Sequence, residues 1–162
     1  MSDIRFHTQD YIFSYRTAGI LVREGKVLLQ KPDDDDGFAV PGGHVSFGET
    51  NAETLKREFA EECGAEIKVG QLRAVAEIFF PWEGKTCHQI CTYYQTELAD
   101  PDSLPRTDTF MTKEKLECRE FPVRFYWVPI EELPALTIYP PQIVPVLVDN
   151  TMPIQHFVYE ER

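Results

Sequence analysis

One segment of this chain carries helix signals at both ends, and no other does. Thr50 and Glu53 fit a capping box at its start, and Gly64 stands where a helix needs a left-handed C′ residue. Between them, over about 51–63, Ala52, Leu55, Phe59 and Cys63 fall within about 80° of one another on a helical wheel. A single narrow apolar stripe must be buried against something flat. The rest of the chain supplies it, because strand-like runs dominate. "TAGILVREGKVLLQK" is two apolar runs around Glu24-Gly25, a hairpin signal. "AEIKVGQLRAVAEIFF" reads as a strand with a kink near Gly70, and "KTCHQICTYYQTEL" as a long strand rich in β-formers. "FPVRFYWVPI" and "QHFVYEER" are further strands, and "PPQIVPVLVDN" opens a short helix on its prolines. The polar stretch from Asp100 to Glu120 reads as an irregular insertion loop. The class is mixed α/β, α+β-like, in one domain over 1–162; 162 residues with 43% hydrophobic content suffice for one core.

The end of the helix is chemically odd. Glu58, Glu61 and Glu62 crowd the C-terminal turns, where carboxylates are disfavoured by about 0.3–1 kcal/mol each. Glu58 and Glu62, four apart, repel by about 0.2–0.5 kcal/mol more. On the wheel these three form a second edge, centred about 110° from the buried stripe. A plain solvated face is one explanation, since glutamate forms helices well. A divalent cation is the other, because it turns mutual repulsion into shared attraction, and magnesium takes a few carboxylates, water and phosphate oxygens. The glycine-rich "VPGGHVSFGE" just before the helix can bring backbone close to such a site.

Charge narrows the partners. The formal net charge is −11, which argues against nucleic acid and anionic membrane. A phosphate ester would need a cation between it and this surface. No apolar run nears the roughly 18 residues of a membrane span, and "MSDIRFHTQD" has no signal-peptide pattern. Cys63, Cys87, Cys91 and Cys118 show no disulfide framework, so the expected setting is a reducing cytoplasm. Zinc at "CHQIC" is disfavoured: Cys87 and Cys91, four apart on a strand, stand about 13 Å apart. The run Asp33–Asp36 reads as a solvated loop.

From Gly43, five residues lead to Glu49, seven more to Arg57, and then "REFAEECGA" follows. This resembles the Nudix box, G-x5-E-x7-R-E-U-x-E-E-x-G-U, with U a bulky apolar residue. Gly43, Glu49, Arg57, Glu58, Glu61, Glu62 and Gly64 match its fixed positions, and Phe59 fits the first U. Ala65 is small for the last, and Ile67 is placed to fill that space. "AVPGGHVSFGE" and "FYWVPIEELPAL" extend the resemblance over about residues 15–150.

The resemblance implies an α/β/α sandwich with a mixed sheet. It implies hydrolysis of a nucleoside diphosphate linked to another moiety, with Mg²⁺ or Mn²⁺ as cofactor. It places metal ligation on Glu58, Glu61, Glu62 and the Gly42 carbonyl. Arg57 would orient the glutamates, while Glu49 and Gly43 stabilise the loop. The general base is a box glutamate or a later acid, with Glu120 ranked ahead of Glu117. Pro81 lies 16 residues past the box, a spacing that resembles ADP-ribose pyrophosphatases of the family, and in a turn Pro81-Trp82-Glu83-Gly84 it would fix where Trp82 points and shape a substrate pocket. The partner is then a small nucleoside diphosphate derivative, and a homodimer is left open. A nucleotide-binding regulatory module without catalysis is the alternative, and the intact glutamates weigh against it.

Overall fold

The computed structural model describes residues 2–116 and 119–161, with side chains described outside 112–122. Strands β1 (Arg5–His7), β2 (Tyr11–Arg23), β3 (Lys26–Pro32) and β4 (Gly42–His44) precede helix α1 (Asn51–Cys63). Then come β5 (Ile67–Trp82), β6 (Lys85–Leu98), β7 (Thr109–Leu116) and β8 (Arg119–Pro129). Two 3-10 turns (Ile130–Ala135 and Pro141–Ile143), helix α2 (Val144–Val148) and β9 (Gln155–Glu160) complete the order. The sheet runs β7-β8-β3-β2-β6-β5-β9, with β1 and β4 also pairing with β2. The β2–β6 and β5–β9 pairs are parallel and the others antiparallel, so the sheet is mixed.

Both faces of the sheet are covered, which is why its central strands read as unbroken apolar runs. On one face Leu21, Leu28, Ile67, Phe125 and Trp127 pack with Leu55 and Phe59 of α1. On the other, Ala18, Ile20, Leu29, Ile78 and Tyr93 pack under Leu133, Ile143, Val146 and Leu147. Helix, sheet, and 3-10 turns with α2 therefore form three layers. Phe59 is fully buried because β2 offers Gly19 beneath it: a Cβ there would stand 2.9 Å from the ring. Burying such a side chain contributes about 1.5–3 kcal/mol. Arg73 anchors the second layer. From β5 its guanidinium donates to the Gln95 side chain and to the carbonyls of Val146 (2.7 Å) and Asp149 (2.9 Å), so it holds the end of α2 to the sheet.

The helix has the expected ends. Thr50 and Glu53 make both capping-box bonds, and Gly64 sits at φ 69°. Ala65 is buried with Ile67 in the α1-side cluster. The hairpin turns at Glu24 and Gly25, both at positive φ (53° and 76°), as a two-residue turn matched to strand twist requires. The kink near Gly70 is a pair of register shifts between Val69 and Ala74.

Two expectations change. The stretch from Asp100 to Glu120 is not all loop: Thr109–Leu116 is a strand paired with β8, from Thr109 opposite Tyr126 to Leu116 opposite Arg119. Its own pattern hides this, because the partner strand makes it a strand; Phe110 stacks on Phe125 at 5.3 Å. Pro81 and Trp82 are not in a turn. They end β5, Pro81 opposite Thr86, and the turn is Glu83-Gly84. By then β5 has passed the end of β9, whose last pair is Phe79 with Glu160, so the missing N–H of proline leaves no partner unsatisfied. β1 and β4 were not read from sequence, being three residues each.

Candidate active site

The site begins with one arginine. Arg57 Nε and Nη2 donate to the two carboxylate oxygens of Glu49, each at 2.9 Å. Nη1 donates to Glu58 at 3.0 Å and to Glu61 at 3.4 Å, and Nη2 also reaches the His44 carbonyl at 3.4 Å. Glu49 further accepts from the Thr54 hydroxyl at 3.0 Å and the Ser46 amide at 3.4 Å. Arg57 thus ties the loop before α1 to the acidic edge of the helix. Its bonds hold the Glu49 carboxyl down to about 2 and push its own pKa up.

Glu58 behaves differently. Its side chain is 15% exposed against 61% for Glu61. Burial pushes its pKa up, although Glu62, within hydrogen-bonding reach, and Arg57 both act to lower it. Two carboxylates this close share either a proton or a cation. Gly43 explains the burial: a Cβ on it would overlap the Glu58 carboxyl group. Gly42, paired with Ala18, has no room for a side chain either, since a Cβ would run into the Thr17 carbonyl. The backbone therefore comes against Glu58 only because residue 43 is glycine, and β4 packs against β2 only because residue 42 is.

These groups fit a divalent ion in their chemistry. Oxygen donors line one helix edge, and a close-packed backbone passes beside them. Among the described residues no three His, Cys, Asp or Glu side chains form a ready-made cage. Magnesium does not need one, because it is commonly bound through one or two carboxylates with water and phosphate oxygens.

His44 follows the two glycines. Its ring lies nearly parallel to Trp82, centroids 6.4 Å apart, with the Arg5 guanidinium 5.1 Å from the indole. Burial, and then Arg16, lower its pKa, so the imidazole is neutral near pH 7. Its Nε2 is buried and without a hydrogen-bond partner among the described residues.

A cavity of about 520 Å³ opens on the sheet face away from α1. Val40, Ile78, Gln89 and Tyr93, all buried, form its floor, and exposed Asp35, Tyr139 and Glu161 stand at its mouth. Arg16 lines it too. Among the described residues its hydrogen bonds go to the Val40 carbonyl at 3.2 Å and, weakly, to Cys91 Sγ at 3.9 Å, both uncharged groups. Burial opposes its charge, while Cys91, Tyr93 and Glu62 favour it. Arg16 thus lines the cavity and lies within electrostatic reach of Glu62 on α1.

Glu49, Arg57, Glu58, Glu61, Glu62 and Gly43 are brought together, and Gly42 adjoins them on β4, held against Thr17 of β2. Trp82 is not in the 520 Å³ cavity but lies against His44, beside the loop. Pro81 lines a second cavity of about 550 Å³, with Tyr11, Phe79 and Thr86. Glu120 is on β8 opposite Lys115; its side chain, and all of Glu117 and Cys118, lie outside the described residues. Cys87 and Cys91 are buried on one face of β6, while His88 points to the other, against Phe13 and Phe79. The aspartate run is put to use: Asp33 pairs with Arg124 at 3.1 Å, and Asp35 accepts from the Gly37 amide at 2.9 Å. Sequence reasoning missed Arg16, His44, Tyr139 and Glu161. Arg16 did leave a signal, since it breaks the inward-facing series Ile12, Ser14, Ala18, Ile20.

The NUDIX domain family model matches residues 14–147. The MutT4 protein of Mycobacterium tuberculosis is 32% identical over 104 residues, covering 63% of this chain and 36% of that protein. An ADP-ribose pyrophosphatase of Methanocaldococcus jannaschii is 42% identical over 60 residues, 35% of this chain and 36% of its own. The matches thus span about a third of the length of these curated relatives. The MutT protein of Bacillus halodurans superposes with a TM-score of 0.62 at 22% identity, over 91% of this chain and 90% of that one. Among the described residues no helix is long and apolar enough to cross a membrane.

Proposed function

This chain belongs to the NUDIX family, and on that premise we propose that it is a Mg²⁺- or Mn²⁺-dependent pyrophosphohydrolase. Its substrate is a nucleoside diphosphate linked to a second group, ADP-ribose being the type. One observation carries the reading: Glu58, mostly buried and with a raised pKa, has Glu62 within reach and is fixed by Arg57 against a backbone that only Gly43 lets close. The ADP-ribose pyrophosphatase among the relatives supports the substrate class.

Glu58, Glu61, Glu62 and the Gly42 carbonyl would hold the ion. When bound, it neutralises pyrophosphate charge, polarises the phosphorus–oxygen bond and lowers the pKa of a coordinated water. The chain's own part is positional. Glu49 fixes the plane of Arg57, and Arg57 fixes Glu58 and Glu61. A carboxylate takes the proton of the attacking water, either a box glutamate or Glu120 from the β7–β8 arm. Water oxygen bonds to phosphorus, the bridging P–O bond breaks, and the leaving phosphate takes the electron pair. The products are a nucleoside monophosphate and the phosphorylated second group.

A chromatographic screen tests this with ADP-ribose, nucleotide sugars, dinucleoside polyphosphates and nucleoside triphosphates, each with Mg²⁺, Mn²⁺ or EDTA. Metal-dependent formation of monophosphate from a diphosphate derivative is expected. No turnover of any of them with either ion would refute the proposal.

A further inference from the structure

The 520 Å³ cavity has an uneven charge layout. One guanidinium, Arg16, lines it within electrostatic reach of Glu62, and it is the only cation among the described lining residues. Two carboxylates, Asp35 and Glu161, stand exposed at the mouth. Nearby Lys31 gives its ammonium to the Asp35 carbonyl at 2.9 Å and the Pro32 carbonyl at 3.4 Å, outside the lining. The mouth is held by packing rather than by chance. Gly37 lies so close under the Tyr139 ring that a Cβ would overlap it, and Asp35 is tied to the Gly37 amide. Glu161 is fixed through its own amide, which donates to the Phe79 carbonyl at 2.8 Å. The walls between offer faces and acceptors: Tyr139 and Tyr159, 6.4 Å apart, and Gln89, whose amide donates to Ser14 at 3.1 Å.

We propose that this cavity selects substrates by charge. Arg16 binds a phosphate of the diphosphate, and Asp35 and Glu161 reject further negative charge, so the group beyond the second phosphate is neutral and hydroxyl-rich. This rests on the hydrolase reading and sharpens it. A ribose or hexose offers hydroxyl donors to the two carboxylates and an apolar face to the tyrosines. A third phosphate in the same place would lie within about one Debye length, roughly 8 Å at physiological salt, of the two carboxylates. The overall charge of −11 adds to that repulsion.

The experiment compares kcat/KM for two pairs with a shared nucleoside, ADP-ribose with ATP and UDP-glucose with UTP. Wild type is expected to prefer the sugar diphosphate of each pair. In Asp35→Asn/Glu161→Gln the ratio of triphosphate to sugar diphosphate should rise about tenfold at low salt, and the rise should shrink in 0.5 M KCl. Arg16→Met should lower both members of a pair by about the same factor, at least tenfold, leaving the ratio in place. The single variants Asp35→Asn and Glu161→Gln give smaller shifts of the same sign. An unmoved ratio in the double variant, a shift insensitive to salt, or full activity in Arg16→Met overturns the proposal while leaving the hydrolase reading standing. If wild type hydrolyses neither member of either pair, the assignment of a sugar diphosphate as substrate fails instead, and the wider substrate screen decides the hydrolase reading. Calorimetric Kd values for the same pairs and variants then decide charge selection by the same ratio.

Discussion

Replacing Glu49 by Gln removes the charge that holds Arg57 while keeping the shape of the side chain. The cost follows from titration. In the folded chain the Glu49 carboxyl is held to about 2, against an ordinary value of 4.5. A shift of that size corresponds to an upper bound of about 3.4 kcal/mol. The side chain is 14% exposed, and solvent screening lowers the effective figure to about 2 kcal/mol. Because the folded pKa is depressed, this stability is fully present above about 4.5 and is lost as pH falls through 2. Urea unfolding of wild type and Glu49→Gln should therefore differ by about 2 kcal/mol at pH 7 and by under about 1 kcal/mol at pH 3. The midpoint should move and the m-value should not. Equal stability at pH 7, or a difference that stays constant from pH 7 to pH 3, would refute the claim that a Glu49–Arg57 ion pair locks the loop to α1.

Gly43→Ala should lower turnover at least 100-fold with little change in the circular dichroism spectrum, because its Cβ displaces the Glu58 carboxylate; near-wild-type turnover would show that Glu58 need not stand there. Arg73→Met should destabilise the fold by about 2–4 kcal/mol, since it orphans the Val146 and Asp149 carbonyls at the end of α2; thermal unfolding checks it, and an unchanged Tm would deny the clamp.

The helix and its acidic edge were legible because they are local. Capping box, buried stripe, acidic edge and terminal glycine all lie between Thr50 and Gly64, where a period of 3.6 residues is a sufficient guide. The Glu49–Arg57 pair was not visible from periodicity, and only the likeness to a family pattern assigned it a role in the loop. The cavity was not legible at all. Its walls come from β2, β5, β6, β9, the loop at 35–40 and the turn at 139–140, and no local pattern joins Arg16 to Tyr139 or Glu161. Strand β7 escaped for a related reason: "TFMTKEKL" has no alternation of its own and is a strand because β8 lies beside it. Trp82 was sought in a substrate pocket because Pro81, at its spacing from the box, would stiffen an aromatic-rich turn and fix where the indole points. The two-residue turn beyond it instead leaves its ring parallel to His44.

On the proposed function, the acidic edge of α1 exists to hold a divalent cation. Titration of Mn²⁺ followed by electron paramagnetic resonance, on wild type and on Glu62→Gln, tests it without reference to any substrate, with the Mg²⁺-dependent rate measured on the same samples. Wild type is expected to bind Mn²⁺, and Glu62→Gln to bind it at least tenfold more weakly and to lose turnover by orders of magnitude while unfolding at the same urea concentration or higher. Equal Mn²⁺ affinity and equal turnover in the two proteins would contradict the account, and would leave Glu58, Glu61 and Glu62 as an ordinary solvated helix edge.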